Sequence, residues 1–99
     1  MKIYLDDVRE APEGWERFYK AGEVMEVLVQ DPGRITAVSL DNDLGAGEVE
    51  GVYVAKLIAA LAKAGMLLKI GMIAHTDNPI AKQRMHSWFR VAAAAWRGE

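Results

Sequence analysis

The sequence predicts an α/β domain built on a four-stranded, mainly parallel sheet, and three observations carry that prediction. Short apolar runs with β character recur at KIYL, RITAVSL and LLKIGMIA. Segments with helical spacing of apolar residues stand between and after them. Five of the six aspartates fall in three segments, LDDVR, SLDNDLG and AHTDNP, each directly after one of the apolar runs. In an open parallel sheet all strand carboxyl ends emerge at one edge, where ligands bind. Asp6, Asp7, Asp41, Asp43 and Asp77, joined by Arg9 and His75, are therefore expected to converge on one acidic pocket.

Each element has its own signals. Lys2 to Leu5 ends abruptly in two carboxylates and suits a central strand opening the fold. Val8 to Gly14 contains Pro12 and Gly14 and reads as a loop, and the aromatic-rich segment Trp15 to Lys20 reads as a second strand. Residues 21 to 30 place Val24, Val27 and Leu28 on one helical face, and Asp31, Pro32 and Gly33 end that pattern. Arg34 to Leu40 is a third strand, apolar enough for burial on both faces, and it delivers Asp41 to the edge. After a loop containing Gly45, Gly47 and Gly51, residues 52 to 64 align Val54, Leu57, Ile58 and Leu61, with Gly65 as the helix C′ residue. Leu67 to Ala74 reads as a buried parallel strand ending at His75. Asn78 then caps a final helix with Pro79 at its first position, its apolar face including Met85, Trp88, Phe89, Ala92 and Trp96. Right-handed crossovers in a flavodoxin-like connection give the strand order 2-1-3-4.

Composition narrows the function classes. At 99 residues and 52% hydrophobic content, a single domain over residues 1–99 is expected. Twelve basic against 14 acidic residues, a net charge of -2, supply no long-range field for nucleic acid, so an RNA-directed role needs a local basic rim. Without cysteine there are no disulfides, thiolate nucleophiles or thiolate metal sites. MKIYLDD starts a strand rather than a signal region, and Lys56, Lys63, Lys69 and Gly65 interrupt the apolar stretches, so no membrane role and a cytoplasmic location are expected.

The motifs at the strand ends, LDD, SLD and HT, resemble the acidic pair, phosphoacceptor aspartate and hydroxyl position of response-regulator receiver domains. More specifically, IYLDDVREAPEGW, SLDNDLG, EGVYV and HTDNP, with Met85 downstream, resemble the cyclic-phosphate processing receiver domain. The resemblance spans residues 2 to 85 and implies a three-layer, receiver-like (flavodoxin-like) fold. Asn42 stands where that family usually shows histidine, and Thr76 where serine is common. No strand carrying the receiver lysine follows the helix from Pro79, which argues against ordinary two-component signalling. The resemblance implies recognition or hydrolysis of a phosphate ester, with a cyclic phosphate on an RNA end or a nucleotide as substrate.

Asp6, Asp7 and Asp41 are oxygen donors suited to Mg²⁺; the alternative is a carboxylate capping its loop through backbone N–H groups. Asp43 either points with Asp41 or braces the turn before Gly45. Arg9 offers a forked contact to phosphate or pairs with the acids beside it. His75 is either a general acid toward a leaving oxygen or a structurally bonded histidine. Thr76, with Asn78 and the helix start behind it, forms a phosphate seat, and Lys82 contributes to a basic rim unless it is simply solvated. Trp15 is either a base-stacking or a buried ring. The leading expectation is a receiver-like domain that binds or hydrolyses a cyclic phosphate ester, Asp6, Asp7 and Asp41 organising metal or water, with Asp41, His75 and Arg9 as the catalytic residues if there is turnover. The competing ones are a degenerate receiver that binds a nucleotide or a protein partner without turnover, and a receiver phosphorylated on Asp41.

Overall fold

Alternation of buried and exposed positions decides how the sheet is seated. In the computed structural model, which describes residues 1–99, the strands are β1 (Lys2–Leu5), β2 (Glu16–Phe18), β3 (Ala37–Leu40) and β4 (Gly71–Ala74). The helices are α1 (Ala21–Gln30), α2 (Val52–Lys63) and α3 (Pro79–Trp96), and a 3₁₀ turn occupies Pro32–Arg34. The sheet order is β2-β1-β3-β4, and every neighbouring pair is parallel. Ile3 lies opposite Val38 and Leu5 opposite Leu40, so these four fully buried side chains share one face. They belong to a core of 21 buried residues that also takes in Val24 and Leu28 of α1, Ile58 of α2, and Met85 and Phe89 of α3.

The expectation of three layers is corrected to two. The connections β2-α1-β3 and β3-α2-β4 cross the sheet in the same direction, so right-handed crossovers put both helices on one face. α3 packs along α2 and therefore lies on that face as well. The connection from β1 to β2 contains no helix to cover the other side. That second face carries Lys2, Tyr4, Ala37, Ser39 and Ile73 and is open to solvent at its margins, with Ile73 49% exposed.

The strands are also shorter than their apolar runs. β2 keeps only three residues of Trp15 to Lys20, and β3 starts at Ala37 because the preceding Pro32–Arg34 is a turn. β4 uses only the last four residues of Leu67 to Ala74. Leu67 and Ile70 are buried before it, while Leu68 is 86% exposed. Because β4 lies at the sheet edge, its apolar run does not mean burial on both faces, correcting the expected buried strand. Helix punctuation follows the sequence closely. The Asn78 side chain accepts from the Ala81 N–H at 3.1 Å with Pro79 behind it, and Gly65 sits at φ +72 after α2. No helix is long and apolar enough to cross a membrane.

Candidate functional site at the carboxyl edge of the sheet

The chain leaves β1 at Asp6, and this carboxylate organises the turn that follows. Its Oδ1 accepts the N–H groups of Val8 and Arg9, both at 2.8 Å, and its Oδ2 lies 3.0 Å from His75 Nε2. Burial alone would push the Asp6 carboxyl up. The Arg9 and Val8 donors, with His75, outweigh that and hold it below its ordinary value. Asp6 is therefore a fixed negative charge, buried to 1% exposure.

Asp41 leaves β3 at the same edge and is shifted the other way. Burial pushes its carboxyl up, and the charge of Asp6 adds to this. The Asn42 N–H, which donates to Asp41 Oδ1 at 2.8 Å, and the Thr76 hydroxyl oppose the shift without cancelling it. Carboxylate oxygens of Asp6, Asp7 and Asp41 lie within 4.8 Å of one another. The Asp7 side chain takes part in none of the molecule's hydrogen bonds or ion pairs, so both of its oxygens are available. Asp6 Oδ1 has spent its two lone pairs on backbone donors. Of the three, Asp7 is the carboxylate with both oxygens unengaged, with Asp6 and Asp41 beside it.

His75 follows β4, and both of its ring nitrogens are engaged: Nε2 with Asp6, and Nδ1 with the Ser39 hydroxyl at 2.7 Å. Tyr4 stacks flat on the imidazole, centroids 4.3 Å apart and planes 4° from parallel. Arg9 reaches across to the same strand end, donating to the His75 carbonyl at 2.9 Å and pairing with the Asp77 carboxylate, which raises the Arg9 pKa further. Arg9 Nη1 is 3.9 Å from Asp6 Oδ2. The first and last strand ends are thereby tied together over the sheet edge.

The loop after Asp41 is clamped at its root. Asn42 is fully buried, and its side-chain oxygen accepts the Val52 N–H at 3.0 Å at the start of α2. Its amide nitrogen donates to Glu50 at 2.9 Å and to Asp43 at 3.3 Å, so Asp43 braces the loop rather than joining the carboxylate cluster. The Gly51 N–H donates to the Asn42 carbonyl at 2.9 Å. A Cβ at Gly51 would lie 1.8 Å from the Asp41 carbonyl oxygen, so the close approach of the two backbone segments requires glycine. Thr76 is buried; its oxygen accepts the Asn78 N–H at 3.2 Å while its hydroxyl serves Asp41. Asn78 spends its side chain on capping α3, and Lys82 is exposed on the first turns of that helix without an ion-pair partner.

The structure thus brings Asp6, Asp7, Asp41, His75, Arg9 and Thr76 together, with Asn78 behind Thr76 and Lys82 farther along α3. Three contributors were not placed in the site from the sequence: Tyr4, Ser39 and Asn42, the last noted only as a departure from the family's usual histidine. Strand alternation offered a signal for two of them, since Tyr4 and Asp6 share one side of β1, and Ser39 and Asp41 one side of β3. The expected pocket is an open surface, because none of the molecule's three cavities is lined by these residues.

Searches of curated proteins and of solved structures return no match to this chain. A family model described as the cyclic-phosphate processing receiver domain matches residues 1–90, a span that contains every strand and every residue of the site. The chain belongs to the cyclic-phosphate processing receiver domain family.

Proposed function

We propose that the carboxyl edge of the sheet binds a cyclic phosphate ester and hydrolyses it with water, Asp41 carrying the proton. The observation that supports this reading is the opposite tuning of two neighbouring carboxylates. Asp6 is held ionised, while Asp41 is shifted toward proton retention beside the Thr76 hydroxyl. A carboxylate with raised proton affinity is a better base toward water than one at its ordinary value. In the proposed step the water oxygen bonds to phosphorus as one ring P–O bond breaks. Asp41 takes the water proton and returns it to the departing oxygen.

Thr76 and the start of α3 orient the phosphate through the helix dipole and the Ile80 N–H, since Pro79 has no N–H and those of Asn78 and Ala81 are already bonded. Asp7, beside Asp6, would hold Mg²⁺, which when bound supplies charge neutralisation for phosphate oxygens and leaves Asp41 to carry the proton. His75 is occupied on both nitrogens and acts as a positioning residue for Asp6. Arg9 fixes the loop that presents Asp7 and Thr76 to one another, its guanidinium remaining partly solvent-facing.

The test is hydrolysis of a panel of nucleoside 2′,3′-cyclic phosphates followed by mass detection, with and without Mg²⁺. Turnover that falls about a hundredfold or more in Asp41→Asn supports the reading. Stoichiometric binding without turnover points instead to a sequestering module. A phosphoryl adduct on Asp41 after treatment with a small phosphodonor points to a phosphoaccepting receiver.

A further inference from the structure

The sheet face that no helix covers carries a row of rings leading to the acidic edge. Trp15 meets Tyr4 nearly edge-on, centroids 6.4 Å apart and planes at 76°, and Tyr4 in turn stacks on His75. Two cations lie along the row. Lys2 Nζ is 5.7 Å from the centre of the Trp15 ring, and the Arg17 guanidinium is 4.4 Å from that of Tyr19. The molecule's ion pairs use Arg9, Lys20, Arg34, His75 and Arg97, leaving Lys2 and Arg17 without a carboxylate partner. Arg17 Nε instead donates to the Asp6 carbonyl at 3.2 Å, which holds the guanidinium next to the carboxyl edge.

A helix-free sheet surface bearing aromatic rings and unpaired cations has the chemistry that single-stranded nucleic acids use. Bases stack on the rings, and phosphates are drawn to the cations. We propose that this face is a nucleobase-binding surface continuous with the site, so that the protein holds the base of the ester as well as its phosphate. The proposal rests on the reading of the acidic edge as a phosphate-ester site. The row ends at His75, whose Nε2 is 3.0 Å from Asp6, so a base at the Trp15 end leaves its phosphate directed toward the carboxylates. Charge decides against a second copy as the occupant: pairing two such faces would bring the unpaired Lys2 and Arg17 of each copy together, whereas a polyanion satisfies them.

Three probes test this. Dissociation constants of a nucleoside 2′,3′-cyclic phosphate and of a ribose 2′,3′-cyclic phosphate lacking the base should differ by on the order of tenfold in the wild type, and the ratio should fall toward one in Trp15→Ala. A short oligoribonucleotide ending in plain hydroxyls should bind weakly and in a salt-sensitive manner, and Lys2→Glu, at an exposed position, should abolish that binding without removing packed atoms. A ratio near one in the wild type, a ratio that survives both substitutions, or self-association that excludes the oligonucleotide overturns the proposal. Oligonucleotide binding through Trp15 and Lys2 without any response to cyclic phosphates would uphold this surface and remove the proposed function. Hydrolysis indifferent to the base would do the reverse.

Discussion

The two edges of the sheet divide shape from chemistry. The amino edge has the largest cavity, about 440 Å³, lined by Pro32, Gly33, Ile35, Thr36 and the segment Gly65 to Lys69. Its only ionisable lining residue is Lys69, and its neighbourhood exposes Met66 and Leu68. The carboxyl edge has no cavity, yet it holds three carboxylates within 4.8 Å, an imidazole bonded on both nitrogens and a helix start. Concavity is often a good first guide to a site. Here strand polarity points to the other edge, because the edge at which strands end is where loops can place unlike side chains side by side.

If that contrast is right, damage at the carboxyl edge should be severe and damage at the amino edge mild. The largest effect is expected from Gly51→Ala. Its φ of -63 is ordinary, so only the 1.8 Å contact of the new Cβ with the Asp41 carbonyl oxygen matters. Displacing the loop root should cost about 3 kcal/mol or more, read as a large drop in the urea midpoint. A mild loss would show that the clamp is soft.

Asp41→Asn comes next, with opposite signs for activity and stability. Hydrolysis should fall about a hundredfold or more. Because the Asp41 pKa is raised in the folded state, its contribution to stability is fully present below the unfolded value and is lost as pH rises through the folded value. Removing the charge should therefore raise the neutral-pH melting temperature, by on the order of a few degrees. Asp6→Asn should do the contrary. The Asp6 pKa is lowered, so its contribution is present above the unfolded value and lost as pH falls through the folded one. The variant should be less stable at pH 7 by about 1–2 kcal/mol and should lose much of the acid limb of its melting profile. Equal pH profiles for the two variants would erase the distinction between these neighbours.

The smallest effect is expected at the amino edge. Leu68→Ser replaces a side chain that is 86% exposed, and both stability and hydrolysis should stay within about 0.5 kcal/mol of wild type. A loss of turnover there would mean that the large cavity takes part after all.

Much of this was legible in the chain because it is local. Helix α1 spans Ala21–Gln30 as the apolar spacing indicates, and Asn78 with Pro79 marks the start of α3. The aspartates after β1 and β3 needed only strand polarity to be brought together. What was not legible depends on partners far apart in sequence. The depth of burial of β4 depended on whether another strand would lie outside it, and LLKIGMIA reads the same in either case. The layer count depended on what the Asp6 to Trp15 connection did not contain. Ser39 becomes the anchor of His75 only through the register that sets β3 beside β4, 36 residues away along the chain. Asn42 stood out only as a replacement for the family's usual histidine; its buried amide joins the end of β3 to the start of α2.

That pinch between Asn42 and Gly51 has a consequence for how the domain can change over generations. The residues between are a closed excursion whose ends meet whatever the middle does, and Leu44 anchors only its early part. Extra residues inserted at Ala46 and Gly47 would add little closure entropy, because that cost grows only with the logarithm of loop length. The loop is thus a ready place to graft new contacts beside an unchanged acidic edge, and relatives are expected to differ there in length before they differ in the carboxylates.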